Sequence, residues 1–134
     1  MAGKGPKRAI DAPEDVVEVL EGLLDRLKGE KREHFFAILL DSKGSVMRVA
    51  QVHIGTLTMS LVGAREVFRE AIREGASSVI VGHNHPSGDP TPSPEDIEVT
   101  GRLAELGEML DIRVEDHVIL GENDFVSMKR QRLM

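Results

Sequence analysis

The order of apolar and polar positions predicts alternating helices and short strands. Apolar residues recur at helical spacing after an acidic first turn, which predicts a helix over residues 13–30. The recurring positions are Val16, Val17, Leu20, Leu23, Leu24 and Leu27. The apolar run HFFAILLD (34–41) predicts a buried strand, and SVMRVAQVHIG (45–55) predicts its hairpin partner across a turn at 41–44.

The second half of the chain repeats this alternation. The first two predicted elements are a helix in AREVFREAIREG (64–75) and a buried strand in SSVIVG (77–82). A helix follows over about 94–110, with apolar Ile97, Leu103, Leu106 and Leu110. The last two are strands in IRVEDHVILG (112–121) and DFVSMK (124–129). This order predicts a mixed β-sheet flanked by helices, in a three-layer α/β or α+β domain.

Length and composition bound the class of protein. A chain of 134 residues is long enough for one domain with a core, expected over 11–134 after a flexible tail at 1–10. Because there is no cysteine, any metal must be held by His, Asp, Glu or water. The start MAGKGPKRAI has no apolar segment and no apolar run approaches about eighteen residues, so we expect neither signal peptide nor membrane span, and a cytoplasmic location.

The charge balance argues against broad binding to nucleic acid. The chain has 17 basic and 23 acidic residues, a net charge of −6, which disfavours contact with a phosphate backbone. It also lacks Trp and Tyr and has four Phe, so the sequence offers no evident platform on which single-stranded bases could stack.

The candidate chemistry lies in HNHPSGDPTPSPEDIEVT, residues 83–100. His83 and His85 follow a predicted strand, and residues two apart in an extended chain point the same way. Asp96, one turn into the next helix, is the candidate third ligand, and four of the chain's six prolines stiffen the connection. Two imidazoles and one carboxylate leave a tetrahedral zinc with an open position, where water would have a pKa of about 7.

Each of these residues also has an ordinary structural interpretation. A His-x-His pair alone indicates little. Ser93 before Pro94 is typical of a helix N-cap, and Asp96 in the first turn would favour the helix dipole without any metal. Only the combined spacing indicates a metal site. Glu33, in the charged run KGEKRE, has no functional signal of its own.

The spacing resembles a known motif. His83-x-His85, then seven residues, Ser93, two residues and Asp96 resembles the JAMM motif of MPN-type zinc metallopeptidases. Within that superfamily the loop closely resembles the RadC family, and the likeness extends over about 31–128, through REHFFAILLD, GAREVFREAI and VEDHVIL. The resemblance implies a three-layer MPN fold related to cytidine deaminases, with one zinc per chain held by His83, His85 and Asp96.

The resemblance also implies roles for further residues. Glu33 matches the glutamate that acts as general base, and Ser93 matches the serine that stabilises the oxyanion. His117 follows Asp116 in a predicted strand and either contacts a ligand or the substrate, or is an ordinary buried histidine. Asn84 is, with His117, a candidate to support the metal ligands from behind; like Ser87 and Asp89 it is also of a type that favours side-chain hydrogen bonds to nearby backbone.

Three functions are compatible with these features. The first is a zinc-dependent hydrolase that cleaves an amide bond in a protein or peptide, with homodimers allowed because MPN domains often pair. The second is a DNA-repair-associated module that binds DNA or a repair partner, with an accessory metal site, as the family's earlier designation suggests. The acidic charge and the lack of room for a helix-hairpin-helix module in residues 1–30 disfavour it. The third, a catalytically silent scaffold, is disfavoured by the intact ligand set.

Overall fold

The computed structural model describes residues 8–25, 32–55 and 63–134. In chain order the elements are α1 (Pro13–Asp25), β1 (His34–Leu40), β2 (Val46–Ile54), α2 (Ala64–Glu74), β3 (Ser78–Asn84), α3 (Pro94–Leu110), β4 (Arg113–Leu120) and β5 (Phe125–Ser127). Each predicted element within these ranges is present, with ends that differ from the prediction by a few residues. No helix among the described residues is long and apolar enough to cross a membrane.

The five strands form one mixed sheet in the order β2-β1-β3-β4-β5. The central pair β3 and β4 is parallel, whereas the other neighbouring pairs are antiparallel. The connection between β3 and β4 contains α3, as expected for a parallel crossover. The connection from β3 to α3 therefore starts at the carboxyl end of the two central strands. The turn after β4 starts at the same end.

Helices cover both faces of the sheet. On one face α2 and α3 pack against alternate strand residues such as Phe35, Ala37 and Val81. On the other face Val16 and Leu20 of α1 pack against a second cluster that includes Ile38 and Val118. This α+β arrangement of three layers confirms the predicted fold class and is consistent with the MPN fold that the resemblance implies.

Two details differ from the sequence-based prediction, and two predicted ranges lie outside the described residues. Residues 8–10 of the expected flexible tail are paired: Ala9 bridges Ser45 antiparallel, and the Ile10 N–H donates to the Gly44 carbonyl. Residues 1–7 of that tail, and residues 26–30 of the predicted first helix, lie outside the described residues. The strand predicted to end at residue 82 continues to Asn84, because its last residues still pair with β4.

Polar residues occupy core positions in α3. Asp96 and Thr100 are buried on the same face as Val99 and Leu103, whereas Ile97 has 43% of its surface exposed. The apolar residues of this helix alone did not fix which face is buried. The buried polar side chains meet imidazoles at the end of the sheet.

Candidate metal centre

Three potential metal ligands meet where β3 ends and α3 begins. His83 is in β3, His85 is the residue just after that strand, and Asp96 is in the first turn of α3. The His85 Nε2 atom lies 3.0 Å from Asp96 Oδ2, and His83 Nε2 lies 3.3 Å from Asp96 Oδ1. His83 and Asp96 are buried, and His85 is half-buried. These three side chains form a group that could bind a metal ion.

A hydrogen bond at the far ring nitrogen orients His85. Its Nδ1 atom lies 2.8 Å from the backbone carbonyl oxygen of Asp89. A carbonyl oxygen can only accept, so Nδ1 carries the hydrogen in this bond. The contact of Nε2 with the Asp96 carboxylate, which can only accept, places a hydrogen on Nε2 as well; a metal ion bound here would take the place of that hydrogen and meet the Nε2 lone pair.

A longer chain of hydrogen bonds orients His83. The Thr100 hydroxyl donates to the backbone carbonyl of Asp96 at 2.6 Å, so its oxygen can accept from His117 Nδ1, also at 2.6 Å. The neutral His117 ring then accepts at Nε2 from His83 Nδ1, 2.8 Å away. This assignment places the His83 lone pair on Nε2, a buried atom that has no hydrogen-bond partner among the residues that the structure describes.

The charges of the site depend on each other. Burial alone would raise the pKa of Asp96, but the imidazoles of His83 and His85 and the Ser93 N–H together hold it well below its usual range. The Asp96 carboxylate in turn raises the pKa of His85, and the charge of Glu33 contributes in the same direction. Burial lowers the pKa of His117 well below its usual range, which keeps that ring neutral. The site therefore favours a positive charge between the imidazoles and Asp96.

The donor set and its spacing fit a divalent metal. A tetrahedral ion with bonds of about 2.0–2.1 Å separates its ligand atoms by about 3.3 Å, close to the two N···O distances found here. Two imidazole nitrogens and a carboxylate suit zinc and neighbouring transition metals. The orphaned Nε2 of His83 also gains a partner if a metal binds. His83, His85 and Asp96 thus fit the zinc ion that the sequence analysis predicts.

The other predicted site residues lie around this group. Glu33 is half-buried in the segment that enters β1, close enough to affect the pKa of His85. Ser93 is the N-cap of α3, where its hydroxyl accepts from the Asp96 N–H at 3.0 Å while the Ser93 N–H donates to Asp96 Oδ2. This capping box fixes the rotamer of the candidate ligand. Capping therefore coexists with the geometry expected of a metal site.

Asn84 and Thr100 make contacts near the site that the sequence did not predict. The Asn84 side chain bonds the backbone of Arg32 and His34, where β1 begins, and not the backbone of its own loop. Thr100 is not among the site residues predicted from the sequence, although it contacts both the Asp96 backbone and His117. Thr100 lies four residues after Asp96 and so on the same helix face. This spacing was the one feature of the sequence that could have identified it. The His117 contact depends on strand register, which the sequence does not reveal.

The loop that carries His85 is held against the turn after β4. The His85 N–H donates to the Leu120 carbonyl and the Glu122 N–H donates to the Gly88 carbonyl, both at 2.8 Å. Gly121 permits this close approach, because a Cβ atom there would lie 2.4 Å from the Gly88 oxygen and 2.6 Å from Pro90 Cδ. The backbone of the turn thus positions His85.

Replacement of Gly121 by alanine is expected to displace this loop. The added methyl group should destabilise the fold by about 1–3 kcal/mol, as overpacking typically does, and weaken metal binding. Gly101→Ala is the matched control, since a Cβ atom at that exposed helical position meets nothing within 4 Å. It should stabilise the protein by about 0.5–1 kcal/mol. Urea unfolding and metal titration of both variants test this, and equal behaviour would contradict it.

Replacement of His117 by alanine is expected to weaken metal binding about 10- to 100-fold, because His83 loses the partner that orients its ring. His34→Ala is the control: it removes another buried histidine, one that bonds Gln51 and contacts none of the three ligands through that bond. Competition with a chromophoric chelator measures both affinities. An unchanged affinity in His117→Ala would show that the hydrogen-bond chain does not support the ligand.

The fold and the site together define a class: a mixed sheet between helices, with a His-His-Asp group at the carboxyl end of a central strand. Comparison with known proteins agrees. The family described as RadC-like JAB domain matches residues 10–133. The chain therefore belongs to the RadC family, which confirms the resemblance seen in the sequence.

Curated proteins from several organisms are similar to this chain. The chain is 46% identical over 129 residues to a UPF0758 protein of Syntrophomonas wolfei, covering 96% of this chain and 55% of the relative. It is 49% identical over 111 residues to a UPF0758 protein of Desulforudis audaxviator, covering 83% and 48%. The chain thus spans about half the length of these curated relatives.

Proposed function

We propose that this chain is a zinc-dependent metallohydrolase that cleaves an amide bond in a peptide or in an isopeptide-linked protein. The observation that carries the proposal is the convergence of His83 Nε2, His85 Nε2 and the Asp96 carboxylate, three electron-pair donors whose spacing suits a tetrahedral ion. Three protein ligands leave a fourth position for water or substrate, as catalytic zinc sites do and structural sites do not.

The proposed chemistry divides between the ion and the protein. When bound by His83, His85 and Asp96, zinc would act as a Lewis acid that polarises the substrate carbonyl and lowers the pKa of a bound water molecule. Glu33 acts as general base: its carboxylate accepts the proton of the attacking water and later delivers it to the leaving amine. Its half-buried position and its effect on the pKa of His85 support this role.

Ser93 is proposed to stabilise the oxyanion. Its oxygen accepts the Asp96 N–H, so the hydroxyl hydrogen is not used in the capping bond. A hydrogen bond from that hydroxyl to the developing charge would contribute on the order of 3 kcal/mol. Because the capping box holds Ser93 and Asp96 together, the donor stays next to the metal ligand.

Hydrolysis that depends on metal tests the proposal. Zinc-loaded protein is incubated with a mixture of end-blocked peptides and with peptides joined through a lysine isopeptide bond, and mass spectrometry detects new amine and carboxyl ends. We expect cleavage that chelation abolishes and that added zinc restores. If the fully loaded protein cleaves no substrate, or if chelation does not change the products, the proposed activity is wrong.

A further inference from the structure

The Asn84 side chain links β3, the strand that carries His83, to the backbone on either side of Glu33, where β1 begins. Asn84 lies between His83 and His85, and its side chain points away from them, as alternation along a strand requires. Its Oδ1 atom accepts the backbone N–H of His34 at 2.7 Å, and its Nδ2 donates to the backbone carbonyl of Arg32 at 3.3 Å. One amide group therefore binds two residues that are about fifty positions away in the chain.

These two bonds act where backbone pairing has ended. The last pair of the β1–β3 ladder joins Phe35 and His83, so the Asn84 amide extends the contact between the strands beyond it. On the other side, the Gly55 N–H donates to the Glu33 carbonyl at 2.8 Å. The segment that contains Glu33 is thus held from both sides.

The bonds fix the two peptide groups that flank Glu33. The Arg32 carbonyl belongs to the peptide before Glu33, and the His34 N–H belongs to the peptide after it. Since each peptide unit is planar, fixing both units sets the two backbone dihedrals of Glu33. Those dihedrals determine the direction in which its side chain leaves the backbone.

We infer that Asn84 is a positioning residue that directs the Glu33 carboxylate towards the His83, His85 and Asp96 group. The inference rests on the proposed function, because it concerns the orientation of the proposed general base. The tripeptide from His83 to His85 then has two functions. Its two histidines are the candidate ligands, and the Asn84 side chain, on the opposite side of the strand, orients Glu33. Such coupling matters because a displacement of about 1 Å in a catalytic group can reduce the rate about 100-fold.

Asn84→Leu tests the inference, since it removes both hydrogen bonds at similar side-chain size. We expect metal content to stay at about one ion per chain, by the three-ligand argument. We expect kcat to fall roughly 10- to 100-fold while KM changes little. The His34 amide should also exchange its hydrogen faster. Asn84→Asp retains the acceptor for the His34 N–H and should retain the protection of that amide, with a smaller fall in kcat.

A readout that does not need turnover locates Glu33 directly. In protein loaded with Co²⁺, the paramagnetic ion shifts the NMR signals of the Glu33 side chain according to their position. Asn84→Leu should change these shifts, whereas Gln51→Leu should not. Gln51 is the matched control because its amide contacts the His34 ring, 3.0 Å from Nδ1, and neither of the two peptide groups.

The outcomes separate this inference from the proposed function. If Glu33 signals and kcat in Asn84→Leu equal those of the unchanged protein, the inference is wrong and the hydrolase proposal stands. If the signals move as expected but no variant cleaves any substrate, the positioning role stands and the function is wrong. If Asn84→Leu does not fold, Asn84→Asp decides, because it loses the bond to the Arg32 carbonyl: Glu33 signals and kcat that both equal those of the unchanged protein would overturn the inference.

Discussion

Asp96→Ala is expected to reduce bound zinc from about one ion per chain to a trace. Asp96 supplies the oxygen atoms that face both imidazoles, and it is the sole charged ligand of the group. Two neutral imidazoles alone do not provide the three protein ligands found in catalytic zinc sites. Elemental analysis of protein purified with excess zinc and then dialysed measures the loss.

Two controls distinguish ligation from helix capping. Glu95→Ala removes an exposed carboxylate from the same turn of α3, so it matches the charge change and should keep its metal. Ser93→Ala breaks the same capping box at a cost of about 1 kcal/mol, yet it leaves all three ligands in place. It should also keep its metal. Zinc retained at full stoichiometry in Asp96→Ala would remove Asp96 from the ligand set.

Glu33→Gln is expected to keep its zinc and to lower turnover about 10²- to 10⁴-fold, the usual contribution of a general base. Glutamine preserves the size of the side chain and its capacity for hydrogen bonds. It cannot accept a proton at neutral pH, so the step that activates water is lost. The measurements are kcat with the peptide identified by mass spectrometry, and metal content on the same sample.

Glu122→Gln is the matched control for that experiment. Glu122 is exposed and packs against Gly88 in the loop that carries His85, so this variant removes a nearby negative charge without touching the proposed base. Its kcat should remain within about twofold, as expected for a screened surface charge. Full turnover in Glu33→Gln, or an equal loss in both variants, would end the assignment of Glu33.

Much of the fold could be predicted from apolar periodicity. Val16 and Leu20 are buried where the helical spacing placed them, and the run HFFAILL is a buried strand throughout. The prediction failed where polar groups enter the core. β3 extends through His83 and Asn84 because their backbone still pairs with β4, while their polar side chains find partners that a hydrophobic pattern does not predict. Such failures are expected at functional sites.

The candidate ligands could be predicted because their spacing is local. His83, His85 and Asp96 lie within one short segment, so strand alternation and one helix start were sufficient to bring them together. The contacts of His117 and Asn84 could not be predicted, because each depends on the register of a strand that is distant in the chain. Asn84 shows the difference clearly, since its type suggested a loop contact and its partners, Arg32 and His34, lie at the start of β1.

The central claim is that His83, His85 and Asp96 bind one catalytic divalent ion. Anomalous diffraction at the zinc absorption edge, from crystals grown with zinc, tests it most directly. We expect one strong peak about 2.0–2.2 Å from both Nε2 atoms and from an Asp96 carboxylate oxygen, with a fourth position taken by solvent. A fully refined site with no anomalous peak between these atoms, or with the two imidazoles turned away from each other, would contradict the claim.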